Sequence, residues 1–209
     1  MATTLVIPGL YSSGPSHWQT WFEAQIPDCI RVIQRDWKRA DLPDWAGRIR
    51  HEITRHPGDI FLVAHSFGAL AGAQAAADYR ERVRGALLVA PADPEKFGIS
   101  DQIPAEPLGF PSVVIASAND PWISLARASK LAASWGAEFV NVGNAGHINV
   151  EAGFGAWPEG LAIFNRLRRT AALEREAARP DADQPPQPRT RSARGWNDAT
   201  NREAAALRH

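Results

Sequence analysis

Short apolar runs and longer amphipathic stretches alternate through most of this chain. Runs rich in Val, Ile, Leu and Phe predict strands near residues 4–8, 30–35, 60–65, 85–90, 112–117 and 138–142. Between them, apolar residues recur at helical spacing and predict helices near 17–25, 42–56, 67–80, 124–135 and 157–172. Asp41 ahead of Leu42-Pro43 reads as a helix cap with proline in the first turn, and Gly136 after Trp135 reads as a helix stop. Strict alternation of strand and helix predicts an α/β architecture, a mostly parallel sheet with helices on both faces. The polar, proline-broken loop of about twenty residues after Ala90 is too irregular for a helical lid, which leaves at most a short cap over any site.

The pattern changes near Thr170. Residues 171–178 can extend the last helix, with Leu173 as its final apolar contact, but Arg179-Pro-Asp-Ala-Asp-Gln-Pro-Pro-Gln-Pro188 cannot. The expected organisation is a domain at 1–172 and a disordered tail at 173–209, in which Trp196 could anchor a short partner-binding segment.

Composition narrows the function classes. With 209 residues and 44% hydrophobic content the chain can bury one good core. Lys+Arg 23 against Asp+Glu 23 gives no electrostatic case for nucleic acid or an anionic membrane. No apolar run approaches the roughly 18 residues of a membrane span, and Met1-Ala-Thr-Thr-Leu5 lacks the basic-then-apolar pattern of a secretory signal. Cys29 is the sole cysteine, so a reducing cytoplasm is expected, with Cys29 a small core or edge residue rather than a nucleophile. No metal-ligand spacing and no Gly-rich phosphate loop occurs, so neither metal nor cofactor is expected.

The chemistry concentrates at Ile60-Phe-Leu-Val-Ala-His-Ser-Phe-Gly-Ala-Leu70. An apolar strand stops at Ser66, flanked two residues either side by Ala64 and Gly68, and small residues then open a helix. This is the pattern of a nucleophile elbow, whose sharp turn exposes the serine hydroxyl and aims the next amide, that of Phe67, at the same point. A hydroxyl nucleophile needs a base. His51, His56 and His209 lie in polar surroundings, and His65 points to the opposite face of the strand from its neighbour Ser66. His147, in the loop Gly143-Asn-Ala-Gly-His-Ile-Asn149 after a predicted strand, can swing over a site built elsewhere. The base needs an acid to orient it. Asp120 emerges at the carboxyl end of the strand 112–117; Asp93, after 85–90, is the competing acid. The order Ser66, Asp120, His147 is that of α/β-hydrolases. A second oxyanion donor is expected from the Pro8-Gly9 turn, as the N–H of Leu10 or Tyr11.

These residues, with Ser16-His-Trp-Gln19, Trp21, Ser117-Ala-Asn-Asp-Pro121, Arg127-Ala128, Leu131-Ala132, Trp135-Gly-Ala137, Gly146-His-Ile-Asn149 and Gly153-Phe-Gly-Ala-Trp-Pro-Glu-Gly160, resemble the small serine hydrolases of the retinoblastoma-binding-protein-nine and YdeN type. The likeness runs through about the first 165 residues. It implies an α/β-hydrolase fold with a minimal cap, a triad of Ser66, Asp120 and His147, and oxyanion donors at the backbone of Phe67 and Leu10. Ala64 in place of the usual glycine is ordinary for this branch. The resemblance also places the loop after Gly9 near the nucleophile. Tyr11, His17 and Trp18 are therefore expected to line the substrate site, with Trp122 beside Asp120. The other tryptophans among the chain's eight are expected mostly in packing.

The expected function is hydrolysis of a small ester, thioester or amide through an acyl-enzyme. Two alternatives stand: aminopeptidase-like hydrolysis of aminoacyl esters or amides, which needs an acidic pocket residue for the amine, and a protein-interaction module that keeps the fold.

Overall fold

In the computed structural model, which describes residues 2–177, the apolar runs become β1 (Ala2–Ile7), β2 (Cys29–Arg31), β3 (Asp59–His65), β4 (Val83–Val89), β5 (Ser112–Ala116) and β6 (Glu138–Asn141). Between and after them lie α1 (Trp18–Gln25), α2 (Leu42–Arg55), α3 (Phe67–Ala76), α4 (Leu125–Ser134) and α5 (Pro158–Ala177). The strands form one sheet in the order β2-β1-β3-β4-β5-β6, and every pair is parallel.

Strand residues point alternately to the two faces, and each face has its own core. Leu5, Ile7, Ile60, Leu62, Ala86 and Leu88 join α2, α3 and Trp135, at the end of α4. Val6, Phe61, Val63, Leu87 and Val89 join Trp18 and Phe22 of α1 and Phe164 and Leu167 of α5. Burial on both faces explains why the strands read as continuous apolar runs rather than alternating ones.

The chain runs from β1 outward to β2, then returns to place β3 on the other side of β1. Beyond this reversal the loops after β1 and β3 diverge, which is where open parallel sheets bind ligands. Divergence leaves strand-end carbonyls without ladder partners. Gln19, fully buried, supplies them: its Nε2 donates to Ile7 O and Val63 O at 3.1 Å each, and its Oε1 accepts from the Ser13 hydroxyl at 2.6 Å.

Besides α3, which ends at Ala76 rather than 80 and tightens into a 3-10 turn at Ala77–Tyr79, two boundaries differ from expectation. β2 ends at Arg31 rather than 35, because its only partner is β1 and the pairing finishes at Val6, with Val32 N–H donating to Val6 O. α5 continues to Ala177, yet Leu173 is 67% exposed and Ala171 is the last buried residue, so Leu173 is not a packing contact. The loop after Ala90 is also more embedded than a cap. Ile99, Ile103, Leu108 and Phe110 are buried in the core, and only Ala92 and Phe97 reach the site. The remainder of the expected tail, with Trp196, lies outside the described residues. No described helix is long and apolar enough to cross a membrane.

Candidate active site

Ser66 follows the last residue of β3 and caps α3, in a strained conformation with φ 56° and ψ −126°. A non-glycine residue adopts this only when its surroundings impose it. Here they do. Ser66 N–H donates to Val89 O at 3.0 Å, holding the turn to β4. On the other side the turn presses against the end of β1. A Cβ at Gly68 would sit 2.3 Å from Pro8 O, and one at Gly9 would sit 2.7 Å from Ser66 Cβ. Only glycine allows either approach.

The exposed hydroxyl meets His147. Ser66 Oγ lies 2.8 Å from His147 Nε2, and His147 Nδ1 lies 3.0 and 2.9 Å from the two oxygens of Asp120. The Asp120 carboxylate has no exposed surface, and Trp122 N–H donates to its Oδ1 at 2.8 Å. Asp93 lies elsewhere: its Oδ1 accepts from Arg127 Nη2 of α4 at 2.7 Å and from Glu95 N–H at 3.1 Å.

The loops bearing Asp120 and His147 are stapled together. Asn119 Oδ1 accepts from Gly146 N–H at 2.8 Å, and Ser117 Oγ accepts from Ala145 N–H at 2.9 Å. Ser117 and Asn119 therefore tie the loop bearing Asp120 to the loop bearing His147. Sequence reasoning counted them only as matching residues, because their partners lie about thirty positions away.

Two of the expected amide donors have no backbone partner that would occupy them. As the first residue of α3, Phe67 has an N–H without a partner inside the helix. Of the two candidates after Gly9, the Tyr11 amide is engaged with Trp37 O at 2.8 Å, which leaves Leu10.

A cavity of about 430 Å³ opens over Ser66. Leu10, Tyr11, His17 and Trp122 line it, together with Asn149, Val150 and Glu151 from the segment after His147. Tyr11, Trp122 and Val150 are three of the few large apolar residues exposed on the described surface, so the mouth of the site is apolar. Trp18 does not line it. The indole is wholly buried against Phe22, His65 and Trp157, and its N–H donates to Ile148 O. The expected lining role for Trp18 is therefore corrected to packing beneath the site. Helical rotation separates it from His17, which caps α1 by accepting Gln19 N–H on Nδ1.

Burial, aided by Arg31 and His147, lowers the His17 pKa to about 4. His65 is held well below the usual histidine range, again chiefly by burial. Both are neutral near pH 7. Burial also pushes the Cys29 thiol up to about 12, which makes it a poor nucleophile. A larger hollow of about 530 Å³ at the amino-terminal end of the central strands is lined by Asp59 and four arginines, with no nucleophile and base brought together. Among the described residues no group of His, Cys, Asp and Glu is arranged to hold a metal ion.

The parallel sheet, the strained serine turn and the loops converging on it define a member of the α/β-hydrolase superfamily. Within that superfamily the chain belongs to the serine hydrolase family, whose model matches residues 4–166. It is 42% identical to a YdeN-like hydrolase from Pectobacterium atrosepticum, with a TM-score of 0.74 over 84% of this chain and 92% of that one. The ydeN gene product of B. subtilis shares the fold at 19% identity, with a TM-score of 0.68 over 81% of this chain and all of the other (100%). Acyl-protein thioesterase 2 from Zea mays does so at 12% identity and a TM-score of 0.56, over 81% and 93% of the two chains. No curated protein matches the chain.

Proposed function

We propose that this hydrolase cleaves a small carboxylic ester, thioester or amide by an acyl-enzyme route, in the cytoplasm and without a cofactor. The observation that carries the reading is the unbroken relay from Ser66 Oγ through His147 to the buried Asp120. Ser66 attacks the substrate carbonyl as His147 Nε2 takes its proton. The imidazolium that forms is stabilised by Asp120, which also holds the tautomer with Nδ1 protonated. The negative charge passes to the carbonyl oxygen, where the amides of Phe67 and Leu10 receive it, each donor supplying roughly 3–4 kcal/mol. Collapse of the tetrahedral species expels the alcohol, thiol or amine, which takes the proton from His147. Water then repeats the attack and releases the acid and Ser66.

The test is turnover of p-nitrophenyl esters together with labelling by a fluorophosphonate. Ser66→Ala and His147→Ala should each lower kcat by about 10³-fold or more, and the double variant little further, because the pair acts as a unit. Asp120→Asn should also cost orders of magnitude in kcat, whereas Asp93→Asn should stay near wild type. Additive losses for Ser66 and His147, or a severe effect of Asp93→Asn alone, would break the assignment. An interaction module that merely keeps the fold would not label at Ser66.

Glu151 favours a second reading, an aminoacyl substrate. It is the one carboxylate lining the cavity among the described residues, and Val150, Tyr11 and Trp122 offer apolar surface beside it. Glu151→Gln should lower kcat/KM for a phenylalanyl ester about tenfold while sparing its desamino analogue, the loss of one exposed charge contact being worth about 1 kcal/mol or somewhat more. Equal effects on both esters would rule the amine contact out.

A further inference from the structure

The loop that presents His147 belongs to no helix or strand, so something other than regular structure must fix it. Two of its carbonyls are gripped from beneath. His65 Nε2 lies 2.9 Å from His147 O, and Trp18 Nε1 donates to Ile148 O at 2.9 Å. A carbonyl only accepts, so His65 carries its proton on Nε2. Both rings are deeply buried, where a missing partner could not be replaced by water. The segment they grip is strained: Ile148, β-branched and fully buried, has φ 48°. Such a conformation survives only where the surroundings over-determine it.

His65 has a further property. It is the residue immediately before Ser66, and on a strand successive side chains leave opposite faces. One dipeptide thus reaches the base from two sides: Ser66 bonds the His147 ring, and His65 bonds the His147 backbone. The imidazoles of His65 and His147 also pack against each other, with ring centroids 4.9 Å apart.

We propose that His65, seconded by Trp18, is a positioning residue that sets the His147 imidazole in register with Ser66 by gripping the His147–Ile148 backbone. This rests on the reading of His147 as the general base. His65 borders the cavity, but its Nε2 is taken up by the His147 carbonyl, and Trp18 is wholly buried, so the loss of either donor falls mainly on kcat rather than KM.

The experiment compares His65→Phe, which keeps a ring and removes the donor, with His65→Gln, whose amide nitrogen reaches as far from Cα as Nε2. Trp18→Phe removes the second donor and keeps an aromatic body in the core. Kinetics on a p-nitrophenyl ester are measured beside the melting temperature and the rate of fluorophosphonate labelling. A misplaced base costs up to about 10²-fold, so His65→Phe should lower kcat and labelling by about 30-fold at a KM within about twofold. His65→Gln should recover most of that loss, and Trp18→Phe should show a smaller fall of the same kind. A folded His65→Phe with wild-type kcat, or a His65→Gln as impaired as His65→Phe, would overturn the proposal. If His65→Phe does not fold, Trp18→Phe decides: unchanged kcat refutes the grip, and a fall at constant KM supports it. Wild-type protein that neither labels nor turns over would sink the hydrolase reading itself, a result distinct from any of these.

Discussion

Gly68 shows how much one missing side chain can decide. Its added Cβ would meet backbone atoms, Pro8 O at 2.3 Å and Ile7 O at 2.6 Å, which cannot rotate away. Gly68→Ala should therefore destabilise the fold by about 3 kcal/mol or more, seen as a lower denaturation midpoint. Gly9→Ala is different, because its Cβ would press on Ser66 Cβ at 2.7 Å and Oγ at 3.3 Å. Its loss should appear mainly in kcat, as the hydroxyl is pushed off His147, with a smaller loss of stability. If Gly9→Ala left kcat intact, the turn would be softer than its φ implies. Ala64, where the usual signature has glycine, is tolerated because the facing helix leaves room for a methyl group there. Even a Cβ on Gly72 would lie at 3.6 Å from Ala64 Cβ, an ordinary contact. The sequence displayed this elbow plainly, since glycine and alanine at fixed offsets from a serine are local signals. Trp18 was not legible in the same way: its partner Ile148 is 130 residues distant, and no local pattern distinguishes an indole that lines a cleft from one that lies beneath it.

At the scale of elements, strand and helix positions followed from apolar periodicity, and the errors fell where an element's end depends on its neighbour. β2 stops when β1 has no more backbone to offer, and α5 runs past its last buried residue. Gln19 is the element-scale feature least visible in advance, because its value lies in joining β1, β3 and the Ser13 loop from a helix. Gln19→Ala should leave two carbonyls and a hydroxyl without their partner, at a cost of about 2–3 kcal/mol. A variant within about 0.5 kcal/mol of wild type in urea unfolding would mean that water replaces the amide.

For the molecule as a whole, two buried neutral histidines make stability depend on pH. Unfolded, both take up a proton near pH 6.5. Folded, His17 does so only near 4, and burial holds His65 well below the usual histidine range as well. Below about pH 6.5 protons thus bind the unfolded chain preferentially, and stability falls with pH by at most about 1.4 kcal/mol per unit for each histidine. The melting temperature should drop steadily from pH 6.5 toward 4. His17→Asn, which keeps a helix-capping side chain, should flatten part of that slope; an unchanged slope would mean that His17 titrates normally.

The contacts around Ser66 also order events as the chain is made. Its turn leans on the end of β1, which is synthesised first, yet its amide is held by Val89 of β4, which comes later. The imidazole that activates it on the proposed mechanism lies 81 residues further along the chain. A nascent or half-folded chain therefore carries an ordinary, unreactive serine. On the proposed mechanism, nucleophilic power waits for the whole sheet to assemble, and an incomplete molecule would escape premature acylation.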